Sequence, residues 1–382
     1  MSFSFTDEQA EFRSVLRRFL AEKSPTTEVR RLMATEAGFD QEVWRQLSQD
    51  LGLTALHIPE DYGGQGFGFV ELAIALEEMG RALLCAPYFS SIVLAATAIM
   101  NAGDEAQKRA LLPAIAAGDT RAALAFTEDN GRWDAAGVAL TATPHDGGYQ
   151  LDGAKSFVLD GHTANLLVVL ARRPGSAGDA GLSFFTLPGD AKGLTRRLLQ
   201  STDDTRKLAR LEFRGVSAEL LGDEGGAAAP LSRTLDQAAA CLANEMVGGA
   251  ELLREQALDY AMMRMQFGRA IASFQTLKHK AADMLIDVEL AKSAAYYAAA
   301  AADADGDDEL AAMASLAKAG AAEAYMQTAI HAIQIHGGIG FTWDNDTHLW
   351  FKRAKSSEVF LGDPGYHREL MMQRWQDGEP GA

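Results

Sequence analysis

The sequence predicts an α+β protein built of three consecutive parts: an N-terminal all-α domain, a central antiparallel β-barrel or sandwich, and a C-terminal four-helix bundle. Apolar residues recur at helical spacing through the first and last thirds, and alanine is abundant in the last third. Short alternating runs separated by turn residues fill the middle third. We place the three domains at residues 1–119, 120–226 and 227–382.

The first helix is predicted to begin after Thr6. This threonine can cap the helix, and Gln9 stands three residues later, where it completes a capping box. Phe12, Leu16 and Leu20 follow at helical spacing and are expected to face the core.

A second helix is predicted from about Asp40, with Trp44 and Leu47 pointing inward and an end near Gly52. The most apolar stretch of the chain covers residues 83–100 and is interrupted by a proline and two serines. We interpret it as a buried helix rather than a membrane span, because a span needs about 20 predominantly apolar residues.

Five short apolar runs with turn signals between them predict the strands of the central domain. The turn signals include Asp146-Gly147-Gly148, a sequence typical of a tight hairpin turn. The runs are residues 122–126, 148–151, 166–171, 182–187 and 208–213. Repeated short strands at this spacing favour a small antiparallel barrel or sandwich.

Four long amphipathic segments with short connections predict an up-down helical bundle. They cover residues 232–265, 274–302, 308–335 and 344–360. The acidic break at 303–307 has the length of an interhelical loop. The last residues, 376–382, are expected to be frayed.

Composition excludes several classes of partner. The chain carries 52 acidic and 35 basic residues, a formal charge of −17, which disfavours binding to nucleic acid. Cys85 and Cys241 lie in apolar surroundings without the spacing of metal ligands, so we expect reduced core cysteines and no metal site. The polar start at residues 1–4 indicates no signal peptide, and we expect a cytoplasmic protein.

Three stretches stand out as motifs, and the second and third of them have the residue types that a large anionic dinucleotide requires. They are Pro-Glu-Asp-Tyr-Gly-Gly at 59–64, Arg-Met-Gln-Phe-Gly-Arg at 264–269 followed by Ser-Phe-Gln at 273–275, and Gln-Ile-His-Gly-Gly-Ile-Gly at 334–340. An arginine offers a bidentate fork to a pyrophosphate, and glycines let the backbone approach a ligand closely.

Together and in this order, these stretches resemble the acyl-CoA dehydrogenase family over essentially the whole chain. The resemblance implies FAD as cofactor and an acyl-CoA substrate that is converted to the trans-2-enoyl-CoA. It also implies an electron-transfer flavoprotein as the electron acceptor. The corresponding family positions hold the adenine-diphosphate half of FAD across a subunit boundary, which implies a tetramer, either of identical chains or with a homologous subunit. The residues at these positions are Arg264, Phe267, Gln275, Gln334 and Gly338, with Gly337 beside them.

The isoalloxazine half of the predicted site departs from the family pattern. The loop that begins at Thr127 has Arg132 and Trp133 where the family has small residues. In the second flavin segment Phe157 can stack on the flavin ring, whereas Leu159 replaces a threonine and has no hydroxyl to donate. These departures resemble actinobacterial members that degrade steroids and their side chains, some of which pair two unlike subunits.

The catalytic base must be a carboxylate in a dry pocket. Many relatives supply it from a Tyr-Glu-Gly-Thr segment, which here reads Phe-Leu-Gly-Asp with Leu361 in place of the glutamate. Glu245 lies on a stripe of small and apolar residues of the first bundle helix, so it is either the base or a residue of the cavity wall or a subunit contact. Asp363, which precedes Pro364, is either a second candidate base or a turn residue.

Other residues are candidates for contact with the substrate. Asp236 matches a family position near CoA, although an arginine common nearby is Ala239 here. The basic cluster of Lys352, Arg353 and Lys355 is interpreted as a solvated face, with contact to phosphates as the alternative. Gly248 and Gly249 suggest room for a branched or polycyclic acyl group.

Two functions therefore follow from the sequence. The first is α,β-dehydrogenation of an acyl-CoA thioester with bound FAD. The second is that of a non-catalytic partner subunit that completes the FAD site of a homologous catalytic subunit; the missing glutamate and the altered flavin loop motivate it.

Overall fold

The structure, a computed structural model, describes residues 5–304 and 309–378, with side chains through residue 375. The chain divides into two compact units. The first unit comprises Met1–Arg30, Phe69–Leu84 and Ala239–Ala382, and the second comprises Arg31–Gly68 and Cys85–Ala238. The expected loop at 303–307 and the expected frayed end at 376–382 fall largely outside the described residues.

Eleven α-helices are found in the described part of the chain. They are α1 (Asp7–Lys23), α2 (Thr26–Met33), α3 (Gln41–Arg45), α4 (Phe69–Arg81), α5 (Thr97–Ala102), α6 (Glu105–Ala116), α7 (Ala228–Met263), α8 (Gln275–Ala302), α9 (Leu310–His336), α10 (Thr347–Val359) and α11 (Pro364–Gly378). The predicted capping box is present at the start of α1, where Thr6 and Gln9 exchange hydrogen bonds.

Nine strands in residues 5–304 and 309–378 form two sheets. They are β1 (Ala122–Ala125), β2 (Thr141–His145), β3 (Gly148–Leu159), β4 (Leu166–Arg172), β5 (Leu182–Pro188), β6 (Leu194–Leu198), β7 (Leu208–Leu221), β8 (Met265–Gln266) and β9 (Arg269–Ala270). The first seven make the large sheet of the second unit, and the last two form a hairpin in the first unit.

The large sheet closes on itself. β4 pairs with both β5 and β2, and the pairings β5–β7, β7–β3 and β3–β2 complete the ring. Most pairs are antiparallel, as predicted, but β4 pairs in parallel with both β1 and β2. Such parallel pairing requires a long connection, and the segment that contains β2 and β3 provides it. Buried apolar side chains such as Leu151, Val169 and Phe185 fill the interior.

The predicted four-helix bundle is confirmed as α7 to α10, with ends within a few residues of the expected ones. Asn244 of α7 donates a hydrogen bond to the carbonyl of Ala295 in α8, and α9 packs against both α8 and α10. Residues 83–100 are largely buried and helical in their second half, and no helix in the described ranges has the length and apolarity needed to cross a bilayer. Both cysteines are free and buried, and burial raises the pKa of the Cys241 thiol.

Helices α4 and α7 cross closely because glycines lie at the crossing. A Cβ atom on Gly80 would lie 2.0 Å from the carbonyl oxygen of Glu245, and one on Gly248 would lie 1.9 Å from that of Glu77. A Cβ on Gly249 would lie 2.4 Å from the hydroxyl of Tyr325. The expectation that Gly248 and Gly249 leave room for an acyl group is therefore wrong, since neighbouring helices fill that space.

Candidate functional site

The hairpin β8–β9 presents an aromatic ring on the surface of the first unit. Its two central residues, Phe267 and Gly268, have φ angles of 53° and 75°, the left-handed backbone that a type I′ turn requires. A bulky residue is strained in this region. The Phe267 ring contacts the edge of the Phe274 ring, with centroids 6.0 Å apart, but stays 90% exposed, so burial within the described chain does not account for the strain. Such a strained and exposed ring is typical of a ligand or subunit contact.

Arg264 lies at the base of the same hairpin. Its backbone is held by hydrogen bonds to Tyr260 and from Ile271, whereas its side chain is exposed. Within residues 5–304 and 309–375, no group accepts a hydrogen bond from its guanidinium. All of its donors are therefore available to an anion.

The ends of α8 and α9 lie together near this hairpin. The ring of Tyr260, just before the hairpin, stacks on His336 at the end of α9, with ring centroids 4.4 Å apart. Gln334 accepts a hydrogen bond from the ammonium group of Lys280 at 3.0 Å, which joins the end of α9 to the second turn of α8. Gln275 is the first residue of α8 and is exposed.

The glycine turn after α9 faces open space. Gly337 ends the helix with a φ of 67°, and a Cβ atom on Gly337 or Gly338 would meet no atom within 4 Å. The six predicted residues of the first unit are thus exposed and occur at neighbouring helix ends. An unpaired guanidinium, an exposed ring and an open glycine backbone fit the adenine-diphosphate half of FAD.

The predicted flavin residues of the second unit are joined by the backbone. Thr127 is buried and donates a hydrogen bond from Oγ1 to the carbonyl of Ser156 at 2.6 Å, while the amide of Ser156 donates to the carbonyl of Thr127 at 3.0 Å. The next residue, Phe157, has a φ of 59° and is 41% exposed. An exposed ring on strained backbone has the geometry needed to stack against a flavin, and this role of Phe157 stays a prediction. Leu159 is buried.

The loop that departs from the family pattern is held by its own polar contacts. Asn130 donates to the carbonyl of Gly137 at 2.7 Å, and Arg132 forms an ion pair with Asp134 at 2.7 Å. Asp129 is bound by both Ser156 and Arg210, and the hydrogen bond from Arg210 lowers the pKa of this carboxyl group. The loop thus has a defined conformation despite the loss of the family's glycines.

Glu245 is buried, as its sequence position predicted, but it has a cationic partner. Its Oε1 atom lies 2.8 Å from Nη1 of Arg353, and their side chains are 7% and 5% exposed. The carboxylate is therefore the counter-ion of a buried guanidinium. Transfer of a proton to it would remove the negative charge that faces this buried guanidinium, which is costly.

The basic cluster at 352–355 does not form a solvated basic face, so that interpretation was wrong. Arg353 is buried against Glu245, Lys352 lies 4.7 Å from the centre of the Trp343 ring, and Lys355 is paired with Glu358. Each cation has a local partner. These partners lie a helical turn away or on a different element, so a count of basic residues in one stretch of sequence does not reveal them.

The segment that carries the base in relatives is rigidly held here. Leu361 is buried, with a φ of 62°, and its carbonyl accepts a hydrogen bond from Nε2 of His367 at 2.9 Å. The fully buried ammonium group of Lys318 donates to the carbonyl of Gly362 at 2.8 Å. Burial, with help from the charge of Lys318, lowers the pKa of His367 to about 3.

Asp363 is exposed and accepts a hydrogen bond from the amide of Tyr366 at 2.8 Å. This is the geometry of a helix cap, and Pro364 follows as the first residue of α11. Asp236, the predicted CoA residue, is buried in the second unit. In the described part of the chain, no three acidic, histidine or cysteine side chains are grouped to hold a metal ion.

Sequence analysis missed Lys318. A lysine at the centre of an alanine-rich helix is a detectable signal, because a buried ammonium group needs several acceptors. Here the acceptors are the backbone carbonyls of Glu358, in the last turn of α10, and of Gly362 just after the helix. The charged ammonium group of Lys318 therefore anchors the segment that carries the catalytic base in relatives.

Comparisons with known proteins agree with this architecture. Three family models match: the N-terminal domain of acyl-CoA dehydrogenase at residues 6–119, its middle domain at 123–216 and its C-terminal domain at 224–376. The acyl-CoA dehydrogenase IpdE2 of Mycobacterium tuberculosis is 30% identical over 371 residues, which cover 97% of this chain and 98% of that protein.

Two solved structures are similar over the whole chain. Butyryl-CoA dehydrogenase from Megasphaera elsdenii superposes with a TM-score of 0.92 at 28% identity, covering 98% of this chain and all of the other. The ChsE4-ChsE5 complex from Mycobacterium tuberculosis contains a chain with a TM-score of 0.87 at 26% identity, with full coverage of both. With this agreement in sequence, domain order and fold, the chain belongs to the acyl-CoA dehydrogenase family.

Proposed function

We propose that this chain acts in the FAD-dependent α,β-dehydrogenation of an acyl-CoA thioester to the trans-2-enoyl-CoA. The family consists of FAD-dependent flavoproteins that act on acyl-CoA. The observation that carries the proposal is that Arg264 and Phe267 are both exposed on one hairpin, next to the open turn at Gly337 and Gly338. This surface offers an unpaired guanidinium, an aromatic ring and a turn free of side chains to a dinucleotide.

The reaction places two demands on the protein. A base must remove the α-proton of the thioester, and the resulting negative charge must be stabilised. Bound FAD supplies the acceptor for the hydrogen and the electron pair that leave the β-carbon. Within this chain we keep Glu245 as the proposed base, with Arg353 as the group that stabilises its ionised form between turnovers. Asp363 is the weaker proposal, because it caps α11.

A second candidate function is that of a partner subunit. In this case the chain contributes Arg264 and Gln334 to FAD in a homologous subunit that carries its own base. Three observations favour it: Leu361 replaces the family glutamate, Glu245 is already paired, and Asp363 is a cap. The similarity to a chain of the ChsE4-ChsE5 complex adds support, because that assembly joins two named proteins.

We further propose a tetramer, formed either by this chain alone or with a homologue. Large apolar side chains of the first unit are exposed, among them Met263 at 74%, Leu290 at 67% and Phe341 at 78%. A surface of this kind is typical of a subunit interface. An electron-transfer flavoprotein in the cytoplasm is the proposed electron acceptor.

The purified chain tests these alternatives by its colour. Under the first function, the chain purified alone retains FAD absorbance, and the flavin bleaches when acyl-CoA is added under anaerobic conditions. Under the second, the chain alone is colourless and gains flavin only with a co-expressed homologue. Full turnover by a Glu245→Gln variant, with Arg254→Met as a control for the loss of an ion pair, would eliminate Glu245 as the base.

A further inference from the structure

A second buried ion pair lies in the second unit, next to the segments that are predicted to contact the flavin. Lys155 of β3 is fully buried, and its ammonium group lies 2.8 Å from Oε1 of Glu128. Glu128 follows Thr127 directly, and Lys155 precedes Phe157 by two residues. The pair therefore sits next to both residues that are predicted to face the flavin ring.

Lys155 holds the first segment on both sides of Thr127. Its ammonium group donates to the carbonyl of Phe126 at 3.1 Å as well as to the carboxylate of Glu128. Thr127 and Ser156 exchange two further hydrogen bonds, so residues 126–128 are joined to residues 155–156 at four points. A shift of either segment would break several of these contacts at once.

Glu128 extends the connection to the far side of the altered loop. Its carboxylate accepts hydrogen bonds from the amides of Ala139 and Leu140 at 2.9 Å, in addition to the one from Lys155. A buried ion pair is retained at low cost only when its remaining hydrogen-bonding capacity is satisfied in this way. The loop between residues 128 and 139 is thus closed at its base by one carboxylate.

We propose that Lys155 and Glu128 are positioning residues for FAD, which set the distance between the Thr127 and Phe157 segments that contact the flavin. This inference rests on the proposed FAD site. It assigns a function to a buried charge that folding alone does not require, because apolar residues of the same shape stabilise a core as well or better. The strained backbone of Phe157 needs such external support.

The experiment compares Lys155→Met, Glu128→Gln and the double variant with the wild type. The preparation used is the one in which the wild type retains FAD, either the chain alone or the chain with a co-expressed homologue. Two quantities are measured: the FAD dissociation constant of the apoprotein, from quenching of flavin fluorescence, and the melting temperature of the apoprotein. Arg254→Met is the matched control, because it removes a cation from a half-buried pair with Glu251 outside the predicted site.

A purely structural pair and a positioning pair give different results. Each single variant leaves a buried charge unpaired, so both its melting temperature and its FAD affinity should fall. In the double variant the melting temperature should return toward the wild-type value, while FAD binding stays roughly tenfold weaker because Phe126 and residue 128 are no longer held. Recovery of wild-type FAD affinity in the double variant would overturn the proposal. A wild type that binds no FAD in any pairing would instead overturn the proposed function.

Discussion

The Nη1 atom of Arg353 lies 2.8 Å from Oε1 of Glu245, and both side chains are buried in the first unit. The two residues are 108 positions apart in the sequence. Glu245 is the carboxylate that the sequence favours as the catalytic base, and in the structure it already neutralises a buried guanidinium. The pair belongs to α7 and α10 and joins the first and last long helices of the bundle.

Loss of one partner of this pair should be far more damaging than loss of both. Arg353→Met removes the cation that lies against the buried Glu245 carboxylate and should lower the free energy of unfolding by about 3–5 kcal/mol. Glu245→Gln combined with Arg353→Met should recover most of that loss, as measured by denaturant unfolding. If the single and double variants were equally unstable, the coupling between the two side chains would be refuted.

Close packing between α4 and α7 should make Gly248 intolerant of a methyl group. Gly248→Ala places a Cβ atom 1.9 Å from the carbonyl oxygen of Glu77 and should cost about 3 kcal/mol of unfolding free energy. Gly320→Ala is the control, because a Cβ there meets nothing within 4 Å, and it should stabilise α9 by up to about 1 kcal/mol. Equal effects in the two variants would contradict the close crossing.

The low pKa of His367 predicts a loss of stability in acid. The unfolded chain binds a proton on this residue near pH 6.5, whereas the folded protein binds it only near pH 3. Between these values the unfolded state holds more protons, so stability falls as the pH decreases, by up to about 5 kcal/mol.

A variant isolates this contribution. His367→Gln retains a donor for the carbonyl of Leu361 but does not titrate, so its unfolding free energy should depend less steeply on pH between 6.5 and 3. His145→Gln, which alters an exposed histidine, is the control and should keep the wild-type slope. Parallel curves for wild type and His367→Gln would show that the buried ring is not the source of the acid sensitivity.

Restoring a carboxylate at residue 361 should increase dehydrogenation. Leu361 occupies the position where many family members have glutamate, and its segment is held by Lys318 and His367. Leu361→Glu should therefore raise the rate of acyl-CoA-dependent flavin bleaching by about tenfold or more, in the range of general-base catalysis. Leu361→Gln tests whether polarity alone suffices. Equal rates for the two variants would show that this segment does not face the acyl group.

Much of the fold was predictable because it is encoded locally. Helical spacing placed the bundle helix 274–302 within one residue of α8, and the capping box placed the start of α1. The parallel partner of β1 was not predictable, since its register depends on β4, which lies about 40 residues further along the chain. Local spacing carries no information on such a pairing.

The residues of the candidate site also fall into those that were predictable from the sequence and those that were not. Arg264 and Phe267 were identified from one short motif, and both are exposed on one hairpin. The partner of Glu245, the acceptors of Lys318 and the filling of the space at Gly248 all depend on contacts between distant elements. In the sequence, a buried charged residue is recognisable only as a charged residue within an apolar stretch. Its partner can be identified only from the folded structure.

The most direct test of the account is the FAD content of the protein with and without the Arg264 guanidinium. Wild type and Arg264→Ala are purified alone and with a co-expressed homologue, with the exposed Arg18→Ala as control, and bound FAD is measured by absorbance. The account predicts FAD in the wild type and in Arg18→Ala in at least one pairing, and at least about tenfold weaker binding in Arg264→Ala, the loss expected for a charge-assisted contact. A wild type that retains no flavin in either preparation, or an Arg264→Ala variant that binds FAD as tightly as the wild type, would contradict it.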